Sequence, residues 1–231
     1  MIKSISLVFG LGLGAAASCL ANITVGLPAN GFGDCYPFGC AYQGEYQQVY
    51  THSAFGGPAT ITGLEFFNTS LNSNTPSLNT GTFTISLSTT AASPSTLSST
   101  FAANLGANNT QVFSGSLAQP WAFGDILKIQ FATPFLYTPA AGNLLLDVNV
   151  SGASAPAGNV YFDFTSSNAL ISRTYHPFGQ GTQPPVVDVG KGLITDFLTT
   201  STTSTPEPGG LSAVMLALGG VIVLLRKRLR A

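Results

Sequence analysis

Charge is what this sequence has least of. Only 8 Lys or Arg and 9 Asp or Glu stand among 231 residues, a charged share of 7% and a formal net charge of -1. A nucleic-acid binder needs a basic face, and a disordered chain needs low hydrophobicity or high net charge; a chain that is 45% hydrophobic and nearly neutral has neither. Histidine is almost as rare, with His52 and His176 alone. Two histidines without clustered acids are too few for a zinc or iron centre, and no Gly-x-Ser-x-Gly elbow accompanies them for nucleophilic catalysis. Each histidine therefore reads as an ordinary loop or strand-end residue. No repeat of fixed period occurs, which argues against solenoids and propellers.

What is present is concentrated at the two ends. Met1 to Ala21 runs from Lys3 through Ile5, Leu7, Val8, Phe9, Leu11 and Leu13 to small residues, the tripartite layout of a secretory signal peptide. Cleavage is expected after Ala21, with Ala17 as the alternative; a lipidated Cys19 is disfavoured because Ala16 stands where such signals carry leucine. At the other end, Leu211 to Leu225 is apolar or small throughout and is followed at once by Arg226, Lys227, Arg228 and Arg230. Counted from Gly209, the run has 17 residues, the short limit for a spanning helix of roughly 17 to 25. Its basic flank would stay in the cytoplasm, which places the preceding domain on the far side of the membrane.

Directly before this run stand Thr205, Pro206, Glu207, Pro208, Gly209 and Gly210. A Pro-Glu-Pro motif, a short hydrophobic helix and an arginine-rich end, in that order, resemble the PEP-CTERM sorting signal of Gram-negative bacteria, which is recognised by the membrane enzyme exosortase. The resemblance covers about 27 residues, Thr205 to Ala231. It implies signal peptidase and exosortase as processing partners, an anchored precursor in the inner membrane, and delivery to the outer surface or its exopolysaccharide matrix. Such tails also go under the label of the C-terminal region of ice-binding proteins. Upstream, Thr199 to Thr205 is all Ser and Thr and reads as a solvated spacer or a stalk for O-linked sugars.

The intervening residues, 22–198, read as one domain of ordinary size. From Asn22 to Thr205 there are three basic side chains (Lys128, Arg173, Lys191) and eight acidic ones, a formal -5, which disfavours nucleic acid and anionic membrane surfaces as partners. The periodicity is that of strands. Thr82 to Ser88 alternates strictly, with Phe83, Ile85 and Leu87 on one face and Thr82, Thr84, Ser86 and Ser88 on the other, solvated one. Leu144 to Val150 puts Leu146, Val148 and Val150 inward and Asp147 outward, and Val160 to Phe164 puts Phe162 and Phe164 inward and Asp163 outward. Further strands are expected at Ile23 to Leu27, Tyr46 to His52, Thr60 to Phe67, Val112 to Ser116, Ile126 to Ala132 and Leu193 to Leu198. With Gly- and Pro-containing turns between them, the pattern predicts an all-β fold, a β-sandwich of jelly-roll type, followed by a C-terminal transmembrane helix. The domain is also similar to a group of uncharacterised PEP-CTERM proteins, chiefly from acidobacteria, over Gly44 to Tyr50, Ile61 to Asn68, Thr84 to Thr90 and Gly142 to Val148. None of these stretches is a catalytic signature.

Cys35 and Cys40 flank Tyr36, Pro37, Phe38 and Gly39, and in an exported domain they are expected to form a disulfide that fixes a small loop; a metal site would find only Asp34 nearby. No catalytic residue and no cofactor is assigned, although oxygen-rich loops of a β-sandwich leave room for Ca2+. For a ligand, the places to look are Trp121, the Cys35 to Tyr42 loop, and the loop from Arg173 through Tyr175 to Phe178. The reading is an exported surface or matrix protein with a structural or adhesive role in exopolysaccharide. The alternatives are a carbohydrate-binding module, an ice-binding surface built on the Thr82 to Ser88 row, and a glycoside hydrolase using outward carboxylates such as Asp125, Asp147 and Asp163.

Overall fold

The computed structural model describes residues 22–154, 160–177 and 183–201. The expected signal peptide (1–21), the remainder of the expected spacer, the Pro206-Glu207-Pro208 motif, the apolar run 209–225 and the basic cluster Arg226, Lys227, Arg228 and Arg230 lie outside the described residues. Among the described residues no helix is long and apolar enough to cross a membrane.

The described chain is all-β. In chain order the strands are β1 (Ile23–Val25), β2 (Gly33–Asp34), β3 (Gly44–Tyr50), β4 (Ala59–Phe67), β5 (Thr82–Thr90), β6 (Thr110–Ser116) and β7 (Ile126–Tyr137). They continue with β8 (Asn143–Ser151), β9 (Phe162–Thr165), β10 (Ile171–Tyr175), β11 (Val186–Val189), β12 (Gly192–Leu193) and β13 (Thr195–Ser201). They form three sheets: a four-stranded one in the order β1-β13-β4-β7, a six-stranded one in the order β11-β10-β3-β8-β5-β6, and a three-stranded one in the order β12-β9-β2. All pairings are antiparallel. Alternation in the sequence becomes alternation in burial. In β7, Leu127, Ile129, Phe131, Phe135 and Tyr137 are buried while Lys128 and Gln130 are exposed, and Pro134, which has no N–H for a ladder, is tolerated because β7 pairs on one side only.

The inner faces of the two larger sheets meet in one core cluster. Tyr50 of β3 meets Phe197 of β13 edge-on with ring centroids 4.9 Å apart. Phe38, carried by the Cys35–Cys40 loop, packs 4.8 Å from Phe66 of β4 and 5.6 Å from Phe83 of β5. The disulfide is formed, with a Cα–Cα distance of 5.2 Å, and it holds the loop that delivers Phe38 into the core. A short buried polar network ties the layers together. Gln48 Nε2 donates to the Leu193 carbonyl at 2.8 Å and its Oε1 accepts from the Leu193 N–H at 2.8 Å and from the Tyr46 hydroxyl at 2.5 Å.

Four sequence expectations change. Arg173 and Tyr175 lie in strand β10 and not in a loop, and β10 pairs with β3 and β11. The strand was illegible because Ile171-Ser172-Arg173-Thr174-Tyr175 sets an arginine, not an apolar residue, on the core side. Asp163, on the face of β9 opposite the core residues Phe162 and Phe164, is 1% exposed and not solvated, since the loops around Ala29 and Thr69 cover that face and supply it with donors. Ser86 and Ser88 are buried because the connection between β5 and β6, residues 91–109, lies over that face of the sheet: Ser88 Oγ accepts from the Gly106 N–H, and Ser172 Oγ donates to the Pro94 carbonyl. The sandwich domain was expected to end at Leu198, but β13 runs on to Ser201 because its Thr199, Thr200 and Ser201 pair with β4.

Candidate functional site

Three places in the described chain combine polar chemistry with defined geometry. The first is the junction around Arg173. Its guanidinium lies 2.7 Å from Asp34 Oδ2 and 3.0 Å from Asp188 Oδ2, and it stacks between two aromatic rings, 4.6 Å from the centroid of Phe164 and 4.3 Å from that of Tyr175. One residue thereby joins β10 to β2, β9 and β11. Burial alone would lower the guanidinium's affinity for its proton, but the neighbouring Tyr46 and Asp34 outweigh it and hold the group fully charged. Tyr175 in turn faces Tyr36 of the disulfide loop at 5.4 Å, so two of the expected ligand regions, the Cys35 to Tyr42 loop and the segment around Arg173, are brought together. Tyr36 and Tyr175 keep part of their rings in solvent, whereas Arg173 is 3% exposed and serves packing.

The second is a pair of carboxyl groups on the outer face of the six-stranded sheet. Glu45 of β3 and Asp147 of β8 converge on Gln47, whose Nε2 lies 3.0 Å from Glu45 Oε1, 3.3 Å from Asp147 Oδ1 and 3.2 Å from the Phe101 carbonyl oxygen. Asn104 Nδ2 donates to Gln47 Oε1 at 2.9 Å, which ties the connection 91–109 to the sheet. Burial first, and then the neighbouring charge of Asp147, push Glu45 up to about 7; burial raises Asp147 as well. Half-buried His176 stacks on Phe101 at 5.2 Å and points its Nδ1 at the Gln183 carbonyl 2.7 Å away. His52 lies in the turn His52–Ala54, where its backbone N–H and its Nδ1 both engage Asn143 Oδ1, at 2.9 and 3.1 Å.

The third is a shallow groove of about 320 Å³ across the outer face of the four-stranded sheet. Asn22, Thr62, Glu65, Lys128, Gln130 and Thr200 line it together with Leu198 and Thr199. Lys128 Nζ sits 3.1 Å from Glu65 Oε1, and Gln130 Nε2 donates to the Thr62 carbonyl at 2.8 Å. Amides, hydroxyls, the Leu198 side chain and one self-neutralised ion pair make this a mixed polar and apolar surface without net charge.

Comparison with family models, curated proteins and solved structures finds no match.

The expected aromatic at Trp121 is placed in the core. It is 1% exposed, stacks 4.7 Å from Phe162 and donates its indole N–H to the Tyr161 carbonyl at 3.3 Å. The expected outward carboxylates separate into three environments. Asp125 is exposed and accepts from the Ala122 N–H at 2.7 Å, Asp163 is a buried acceptor, and Asp147 pairs with Glu45, a residue that sequence reasoning had passed over. The missed signal was the alternation of Gly44 to Tyr50, which sets Glu45 and Gln47 on one face; their partner stands 100 residues away from Gln47 and is known only from the register of β3 on β8. Among the described residues no three His, Cys, Asp or Glu side chains converge as a metal site requires.

Proposed function

We propose that this chain is an exported cell-surface or extracellular-matrix protein, sorted by an exosortase-type system, with a structural or adhesive role in exopolysaccharide. The observation that carries the reading is the tail. A Pro-Glu-Pro motif at 206–208, an apolar run and a basic end follow four residues after β13 ends at Ser201, so the sorting signal begins where the folded domain stops. The two larger sheets, with a shared aromatic core between their inner faces, support a sandwich of jelly-roll type as the displayed domain. Changing both Pro206 and Pro208 to Ala is expected to trap the unprocessed precursor in the inner membrane, read by fractionation and by the mass of the mature protein. Normal processing of that variant would remove the tail assignment.

A second reading, a carbohydrate-binding module, is favoured by the neutral groove on the four-stranded sheet. Vicinal hydroxyls of an uncharged polysaccharide match amide and hydroxyl groups in pairs, and an acidic domain would repel a polyanionic polymer. Binding of the protein to native exopolysaccharide is expected to saturate and to weaken roughly tenfold when Gln130 and Thr62 are both changed to Ala, the loss of about 1.4 kcal/mol of hydrogen bonding. Unchanged retention of the variant on the polymer would move the contact away from this groove, and absence of any binding would leave a purely structural role.

A further inference from the structure

The described residues contain three basic side chains, and each is engaged away from the Glu45 and Asp147 pair. Lys128 sits on Glu65 at 3.1 Å, Arg173 on Asp34 and Asp188 at 2.7 and 3.0 Å, and Lys191 near Asp188 at 3.7 Å. Two carboxyls therefore converge on one neutral amide with no cation beside them. That amide nitrogen has two protons and lies within 3.0 to 3.3 Å of three acceptors, the two carboxyls and the Phe101 carbonyl. One acceptor is short of a proton.

We propose that Glu45 and Asp147 share a single proton, and that this proton fastens the connection 91–109 to the outer face of the six-stranded sheet. With the proton in place the pair carries one negative charge, and Gln47 can give one N–H to the pair and the other to Phe101. Without it, two negative charges in a poorly solvated site compete for both protons of Gln47, and Phe101 loses its donor. The Asn104 to Gln47 bond, which depends on the same amide, loosens with it.

The surroundings offer few other groups that titrate. The connection from Ala91 to Asn109 has no ionisable side chain. On β5, Ser86 stands opposite Asp147; on β8, Asn149 stands opposite Glu45; on β10, Thr174 stands opposite Gln47, fully buried and with its hydroxyl unpartnered. Tyr42 donates to the Glu45 carbonyl at 2.5 Å, and burial pushes its own proton loss far above neutrality. His176, against Phe101 at 5.2 Å, is the other ionisable side chain that the described residues bring to this connection. The sign follows from the raised carboxyls. The closed form holds a proton that the opened form gives up, so closure has its full advantage below the ordinary glutamate range of about 4.3 and loses it as pH rises through about 7.

The test is hydrogen exchange by mass spectrometry on the full chain in detergent, from pH 5.5 to 8.5, corrected for the intrinsic pH dependence of exchange. Amides of β4 and β13 serve as the internal reference. The opening constant of peptides within 96–106 is expected to rise at least about tenfold over this range while the reference stays flat. Glu45→Gln, which keeps a neutral hydrogen-bonding group, should hold the connection closed throughout, and His176→Gln should leave the rise in place. A flat wild-type profile, a rise that survives in Glu45→Gln, or one that vanishes in His176→Gln would overturn the proposal. Should Glu45→Gln fail to fold, carbon-13 titration of the wild-type carboxyls decides. One member of the pair titrating near neutrality supports the shared proton, and both titrating below pH 5 rejects it.

Discussion

Asp163→Asn is expected to destabilise the domain by roughly 3–5 kcal/mol, although it changes one oxygen to one nitrogen. The carboxylate accepts from the backbone N–H of Ala29 at 2.9 Å and from those of Thr69 and Ser70 at 2.8 Å each, and the Thr69 hydroxyl donates to it as well. An asparagine has one acceptor oxygen, and its NH2 would face donors already aimed at that position, leaving buried N–H groups unpaired. Asp163 sits in β9, which joins the chain near Ala29 to the turn after β4, so the loss is one of tertiary anchoring. Burial would raise the acid, but the bonds from Thr69, Ala29 and Ser70 outweigh it and hold the group below the usual aspartate range. A lowered folded-state value gives stability that is present above the unfolded value of about 3.9 and lost as pH falls through the folded one. The wild type should therefore lose urea resistance below about pH 4 more steeply than the variant. Trp121, the single tryptophan, is stacked on Phe162 beside the mutated position and reports the transition by its fluorescence. A variant within 1 kcal/mol of wild type at pH 7 would show that these donors find water instead.

Arg173→Met should cost a similar amount, roughly 3–5 kcal/mol, by a different route. Methionine fills the space between Phe164 and Tyr175, so the packing loss is small and the charge loss is what remains. Asp34 and Asp188, each about a fifth exposed at 18% and 21% of the side chain, would face each other with only Lys191 at 3.7 Å from Asp188. Arg173→Lys is not a rescue. Its ammonium is a point charge that cannot stack flat between two rings while bonding both carboxylates, and we expect it to recover about half of the loss. Because the site is shielded, both penalties should persist in 1 M salt, where an exposed pair such as Lys128 with Glu65 would be screened. Recovery of wild-type stability by Arg173→Lys, or loss of the effect in salt, would contradict the buried clamp.

The residues legible from sequence are those whose neighbours along the chain decide their place. Alternation in Thr82 to Ser88 and in Leu146 to Val150 specified strands and their inward sides, because a pleated backbone sends successive side chains to opposite faces whatever the partner strand is. Cys35 and Cys40, five residues apart around a Pro and a Gly, form the bridge that their spacing led us to expect. Tertiary structure alone decided the rest. Alternation names a face but not what covers it, so Ser86 and Ser88 read as solvated until the connection 91–109 closed over them. Hydropathy places a charged residue in solvent, so Asp163 reads as solvated and Arg173 as part of a loop; what compensates their burial comes from segments 94 and 139 residues away, at Thr69 and Asp34. The pairing of Glu45 with Asp147 depends on the register of two strands a hundred residues apart, and register is set by the whole sheet and not by either strand.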